Sequence, residues 1–139
     1  PVLTAARRIA GNWVFLYGGI ALAAWDLFLD PMMVAEGRWT WLVTGAHVPF
    51  QPEIPLSNTF GWLLSGMFLI GVLHLITPRE KRKGGATFRT TDIFLLWTLF
   101  SGIIGNLFFF GRPGIAFFAG GIYGMVFAPY FFNRWLGRP

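Results

Sequence analysis

The chain has 139 residues, of which 55% are hydrophobic and 12% charged, with seven Trp, 16 Phe and a mean hydropathy of +0.57. That composition excludes an ordinary soluble domain and points to an integral membrane protein. With no Cys, disulfides and thiolate chemistry are excluded. The net charge of +5 comes from basic residues flanking apolar spans, a membrane pattern rather than a nucleic-acid-binding face.

Four stretches, 9–30, 58–77, 92–110 and 115–132, each supply roughly 20 largely apolar residues, enough to cross a hydrocarbon core about 30 Å thick. The expected fold is an all-α integral membrane protein: one membrane domain over 1–139, with about four transmembrane helices and an interfacial segment between the first and second. The first span closes on Trp25-Asp26-Leu27-Phe28-Leu29-Asp30-Pro31. Pro31 is expected to end the helix there, because proline disfavours the helical conformation in the residue before it. Asp26 and Asp30, four apart, project from one face of the last turns. Carboxylates at a helix C-terminus oppose the helix dipole and are costly at the edge of a bilayer, so helix propensity does not account for them. With Glu36 they make up half of the six acidic residues.

Residues 31–57 are too long for a turn and carry Met32, Met33, Trp39, Trp41 and Phe50, which suits an interfacial segment. The first half is compatible with a short surface helix; the second, with Pro49, Pro52 and Pro55, is not. At the start of the second span Ser57 or Asn58 is placed to cap the helix. The segment Lys81-Arg82-Lys83-Gly84-Gly85 reads as a charged, solvated loop, and Gly111-Arg112-Pro113-Gly114 as a tight turn. All of the 11 Lys and Arg except Arg38 and Arg112 fall on one side of this topology. The positive-inside rule then puts both ends of the chain and the 78–91 loop in the cytoplasm. Small residues recur at close-packing spacing, in Gly61 with Ser65, Ser101 with Gly105 and Gly120 with Gly124, and are expected to let helix backbones approach.

Placed by depth, Asp26, Asp30, Asn58 and Asn106 share the outer third of the membrane. Polar groups there face the bundle or a wet cavity, so the expectation is an outward-opening pocket floored by Asp26 and Asn106 and rimmed by Trp39, Trp41 and Asn58. Two carboxyl groups in a poorly hydrated site repel, so one is expected to hold its proton near neutral pH while the other stays ionised. That is the arrangement of an acid and base pair needing no cofactor; a cation site or a proton relay draws on the same residues. His47 and His74 fall at opposite membrane faces, so a two-histidine metal or haem site within one chain is not expected, and no metal or cofactor is assigned.

The blocks Trp25-Asp26-Leu27-Phe28-Leu29-Asp30-Pro31, Glu36-Gly37-Arg38-Trp39-Thr40-Trp41 and Pro55-Leu56-Ser57-Asn58-Thr59-Phe60-Gly61-Trp62, in this order, resemble the CruF-type carotenoid biosynthesis family. The turn Gly111-Arg112-Pro113-Gly114 before a Gly-rich last span is similar to it as well. Members include hydratases that add water across the terminal double bond of acyclic carotenoid ends, such as those of gamma-carotene or bisanhydrobacterioruberin. The resemblance implies an enzyme of carotenoid biosynthesis in a bacterial or archaeal cytoplasmic membrane, with a carotenoid or other polyene lipid as partner. Asp26 and Asp30 are its expected catalytic pair, with Asn58, Asn106, Trp39, Trp41 and Glu36 binding or orienting substrate. Family members carry further transmembrane helices ahead of the Trp-Asp block, so this chain, which starts at Pro1, is expected to be the C-terminal part of a longer protein. The alternative expectation is a non-catalytic, pigment-binding subunit associated with other membrane subunits.

Overall fold

The computed structural model describes residues 1–78 and 85–136. Arg79, Lys81, Arg82, Lys83, Gly84 and Arg138 lie outside the described residues, and with them most of the expected basic loop. Four helices are long and apolar enough to span a membrane, at Gly11–Ala35, Leu56–Ile76, Phe88–Phe109 and Pro113–Leu136. The protein is an all-α, multi-pass membrane protein.

A short amphipathic helix, α1 (Val2–Ile9), precedes the first span, separated from it by a single turn of 3-10 helix at Gly11–Trp13. Its buried face is Ala5 and Ala6, and Arg7 and Arg8 close its last turn. The first spanning helix, α2 (Val14–Ala35), is central: α3 (Leu56–Ile76) packs on one side of it and α5 (Pro113–Phe131) on the other, while α4 (Gly85–Ile104) packs chiefly against α5. Glycines set the α2–α3 crossing. A Cβ on Gly66 would lie 3.0 Å from the Gly19 Cα, and one on Gly18 would overlap Ile70. Among the expected small-residue pairs, Gly120 sits against Ile103 of α4, whereas Gly61 and Gly124 have nothing within 4 Å of a Cβ position. Two tyrosine hydroxyls tie helices together by donating to backbone carbonyls, Tyr17 to Val126 and Tyr123 to Leu95. Such bonds let a buried ring keep its hydroxyl satisfied inside an apolar bundle. Elsewhere α3 and α4 present Phe60, Leu64, Phe68, Leu75, Trp97 and Phe100 outward, as lipid-facing surfaces do.

The structure corrects the expected end of the first helix: α2 runs through Pro31 to Ala35. Proline lacks the N–H that would bond the carbonyl four residues earlier, here Leu27, and in apolar surroundings that carbonyl needs another donor. Gln51 supplies one, its side-chain Nε2 donating to the Leu27 carbonyl at 2.9 Å. Residues 31–35 therefore extend the spanning helix, and 36–46 form no surface helix. The proline-rich half folds as a hairpin of β1 (His47–Val48) and β2 (Gln51–Pro55), with Val48 paired to Gln51 around a Pro49-Phe50 turn. Phe50 takes a left-handed φ of 63°, unfavourable for a non-glycine residue. Its ring packs on Phe118 with centroids 5.9 Å apart and fills the notch left by Gly114, where a Cβ would come within 2.7 Å of it. Glu53 pairs with Arg112, so the hairpin is fastened to the α4–α5 turn on two counts.

Candidate functional site

The carboxyl pair sits where α2, the hairpin and the start of α3 meet. Asp26 and Asp30 are 2% and 1% exposed. Both face α3, while Phe28, between them in sequence and on the opposite side of the helix, packs against Gly102 of α4 and Tyr123 of α5. A Cβ on Gly102 would lie 2.7 Å from the Phe28 ring, so this glycine is what lets α4 approach α2 at the level of the pair.

Asn58 joins the two carboxyl groups. Its amide nitrogen donates to Asp26 Oδ2 at 3.1 Å and also to Asp30 Oδ2, one hydrogen for each. The expected helix cap is not made: α3 begins at Leu56 behind Pro55, with no side-chain capping bond. The amide nitrogen is drawn to the carboxyl groups, which are strong acceptors in a poorly hydrated place, and with the side chain turned that way its oxygen makes no bond to the first N–H groups of the helix. Trp39 closes the other side of Asp30, its indole N–H donating to Oδ1 at 2.8 Å. Both oxygens of Asp30 thus accept from N–H donors, as does Oδ2 of Asp26; Asp26 Oδ1 is buried with no hydrogen-bond partner. Among the described residues no Lys or Arg is ion-paired with either aspartate; Arg112 is engaged by Glu53 and Arg38 by Glu36.

The other expected site residues divide. Asn106 is fully buried in a π-helical turn at Gly105–Phe109, a wider turn often found where a helix carries function. Its amide donates to the Gly102 carbonyl at 2.8 Å and its Oδ1 is unpartnered, so no hydrogen bond connects it to the pair. Trp41 is 41% exposed and makes no contact of this kind with the carboxyl groups. Glu36 lies at the surface beside Arg38 at 3.4 Å, away from the pair. His47 belongs to the hairpin and His74 to the opposite end, where its Nδ1 accepts from Arg7. Two residues not singled out in the sequence belong to this region. Gln51 holds the α2 backbone between the aspartates, and Thr59, next to Asn58, has a buried and unpartnered hydroxyl. For Gln51 a signal existed, since a proline inside an apolar helix frees one carbonyl, but the sequence does not say which distant amide finds it.

The site can hold and exchange a proton between two carboxyl groups bridged by an amide, in a place shielded from water. No curated protein and no solved structure matches the chain. A family model described as carotenoid biosynthesis protein matches residues 3–128, nearly the whole chain and every block that forms the site; the chain belongs to the carotenoid biosynthesis protein family.

Proposed function

We propose that the protein hydrates the terminal C1–C2 double bond of an acyclic carotenoid end, with Asp26 as the acid and Asp30 as the base. The observation that carries this reading is the Asn58-bridged carboxyl pair, buried and without a cationic partner among the described residues. Asp30 has both oxygens engaged by N–H donors, the pattern that suits an anion, while Asp26 has one oxygen that accepts from no donor, the pattern that suits a protonated acid. Protonation of C2 by Asp26 breaks the alkene π bond and leaves a tertiary cation at C1. The Asp30 carboxylate stabilises that cation and takes a proton from the water whose oxygen bonds to C1. The product is a tertiary alcohol, and passage of the proton from Asp30 back to Asp26 resets the pair with no cofactor consumed. A carotenoid is about as long as a membrane is thick, so an end group would meet a site at this depth.

The test is a pigment-producing host carrying the intact gene with Asp26→Asn or Asp30→Asn, scored by the ratio of hydroxylated to unhydrated carotenoid. A fall of about 100-fold is expected for each, the scale of a lost general acid or base. Unchanged ratios with normal protein in the membrane would refute the assignment.

The site is proposed to open on the non-cytoplasmic side. Arg7, Arg8 and Arg134 lie at the end of the bundle opposite the hairpin, in keeping with the positive-inside rule. A Cys at exposed Gly45 should then react with an impermeant reagent in intact cells, and one at Leu136 only after lysis. A second reading, a subunit that packs against other membrane helices, draws on Gly61, whose close-packing face has nothing within 4 Å. Stable co-purification of the intact protein with other membrane polypeptides, with no effect of the aspartate changes on pigment, would favour it.

A further inference from the structure

We infer that Gln51 is a positioning residue for the carboxyl pair, which it sets by taking the one helix carbonyl that Pro31 leaves free. The inference deepens the hydratase reading and rests on it for its functional consequence, but the link itself is read from geometry alone.

Leu27, whose carbonyl accepts the 2.9 Å bond from Gln51 Nε2, directly follows Asp26, and Pro31 directly follows Asp30. The missing backbone bond therefore spans the same turn that carries both aspartates, and the orientation of that turn fixes the direction of both carboxyl groups. A proline in mid-helix pushes the preceding turn open, because its ring meets the carbonyl four residues back. An amide from outside the helix decides how far it opens. Gln51 is suited to that task because it is 1% exposed and its backbone is held on both sides. On one side stands the Phe50 ring in the Gly114 notch, on the other the Glu53–Arg112 pair. Val48 and Ile54 of the same hairpin are buried as well, so the side chain is delivered from a fixed platform. Beyond the hairpin the chain enters α3 and presents Asn58 to both aspartates three residues after Pro55. One short segment thus supplies the group that sets the turn and the group that bridges the acids.

The experiment uses the full-length protein with Gln51→Leu, Pro31→Ala and the two combined. Two quantities are measured: the thermal unfolding midpoint, and the infrared carboxyl stretching bands assigned by their loss in Asp26→Asn and Asp30→Asn. Gln51→Leu strands the Leu27 carbonyl; Pro31→Ala restores a backbone N–H to it and strands the buried Gln51 amide instead. Each single change should lower the midpoint, whereas the double variant, with neither group stranded, should melt above both. The carboxyl bands should shift in Gln51→Leu and remain shifted in the double variant, whose turn closes as a regular helix. In the pigment host the hydroxylated fraction should fall at least tenfold in both of these variants. Midpoint losses that simply add would show that the Gln51 bond is not made. Recovery of both midpoint and bands in the double variant would show that Gln51 only stabilises the fold, and would overturn the positioning role. If pigment hydration is also insensitive to Asp26→Asn and Asp30→Asn, the hydratase reading fails by itself, while the midpoints and infrared bands still decide the role of Gln51.

Discussion

Asp92 at one end of the bundle and the Asp26–Asp30 pair at the other are partnered in opposite ways. At the basic end Asp92 is met by the Tyr130 hydroxyl at 2.7 Å, the Arg134 guanidinium at 3.5 Å and the Trp135 indole at 3.4 Å. Nearby, Arg8 donates to Asn133 and lies over the Phe88 ring, and Arg7 donates to the carbonyls of His74, Thr77 and Pro78 at the close of α3. This end is a clasp in which charge is neutralised and loose helix ends are tied. At the hairpin end two acids lie side by side and, among the described residues, are met by neutral N–H donors alone, while Arg112 is paired with Glu53. An uncompensated pair of acids is a poor way to stabilise a bundle, because both must be desolvated and they repel each other. Burial alone therefore does not distinguish a structural acid from a reactive one; the identity of its partners does.

That contrast can be broken most sharply by removing one carboxylate at each end. Asp30→Asn is expected to cost about 100-fold in pigment hydration with little change in thermal midpoint. Asp92→Ala, which leaves the Arg134 charge without its carboxylate, is expected to lower stability by about 3 kcal/mol while hydration per folded molecule stays near normal. If Asp92→Ala abolished hydration at full protein level, the division into clasp and site would not hold. A smaller effect is expected from Trp39→Phe, which keeps the ring and removes one hydrogen bond to Asp30. Loss of a hydrogen bond to a charged group is worth about 1.5–3 kcal/mol, which corresponds to a fall in hydration rate of roughly 10- to 100-fold. Trp41→Phe, measured in parallel, should change the rate by less than about twofold, since a side chain outside the network carries none of that energy.

Packing changes come next. Gly102→Ala places a methyl against the Phe28 ring and is expected to destabilise by about 1–3 kcal/mol, seen as a lower unfolding midpoint. The equivalent Gly124→Ala, where nothing lies within 4 Å, should be tolerated. The smallest effect is assigned to Glu53→Gln. Its pair with Arg112 is partly exposed, with side chains 23% and 33% accessible, so the loss should be about 1 kcal/mol or less and should shrink as salt is added.

Much of this protein was legible before its structure because the bilayer is a strict solvent. An apolar stretch of membrane length has few alternatives to a helix, since each unsatisfied backbone group costs several kcal/mol in hydrocarbon. The aspartates stood out for the same reason, as groups whose presence near apolar depth requires an explanation. Where reading the residues failed, a distant partner overrode a local rule. Pro31 was expected to stop its helix, and does not, because Gln51 repairs the defect from 24 residues away. Asn58 was placed equally well to cap α3 or to serve the acids, and the approach of α2, through Gly18, Gly19 and Gly66, brought the acids within reach. The hairpin itself was hidden by its three prolines, which argue against a helix without arguing for a strand.

The sequence by itself determined that the chain crosses a membrane, that most of its basic residues flank its apolar spans, and that Asp26 and Asp30 share a helix face, because these follow from solvent, chain length and helical period. Only the tertiary structure decided which donors those acids have. Trp39 and Asn58 approach them, and Gln51 approaches the Leu27 carbonyl between them, across turns and a hairpin whose geometry depends on every contact between. A hydrogen bond at 2.8–2.9 Å has no slack for chain position to predict. The same reason separates Asn106 from the site at the level of side chains: it was expected at the depth of the aspartates, but its amide turns back to its own helix at Gly102.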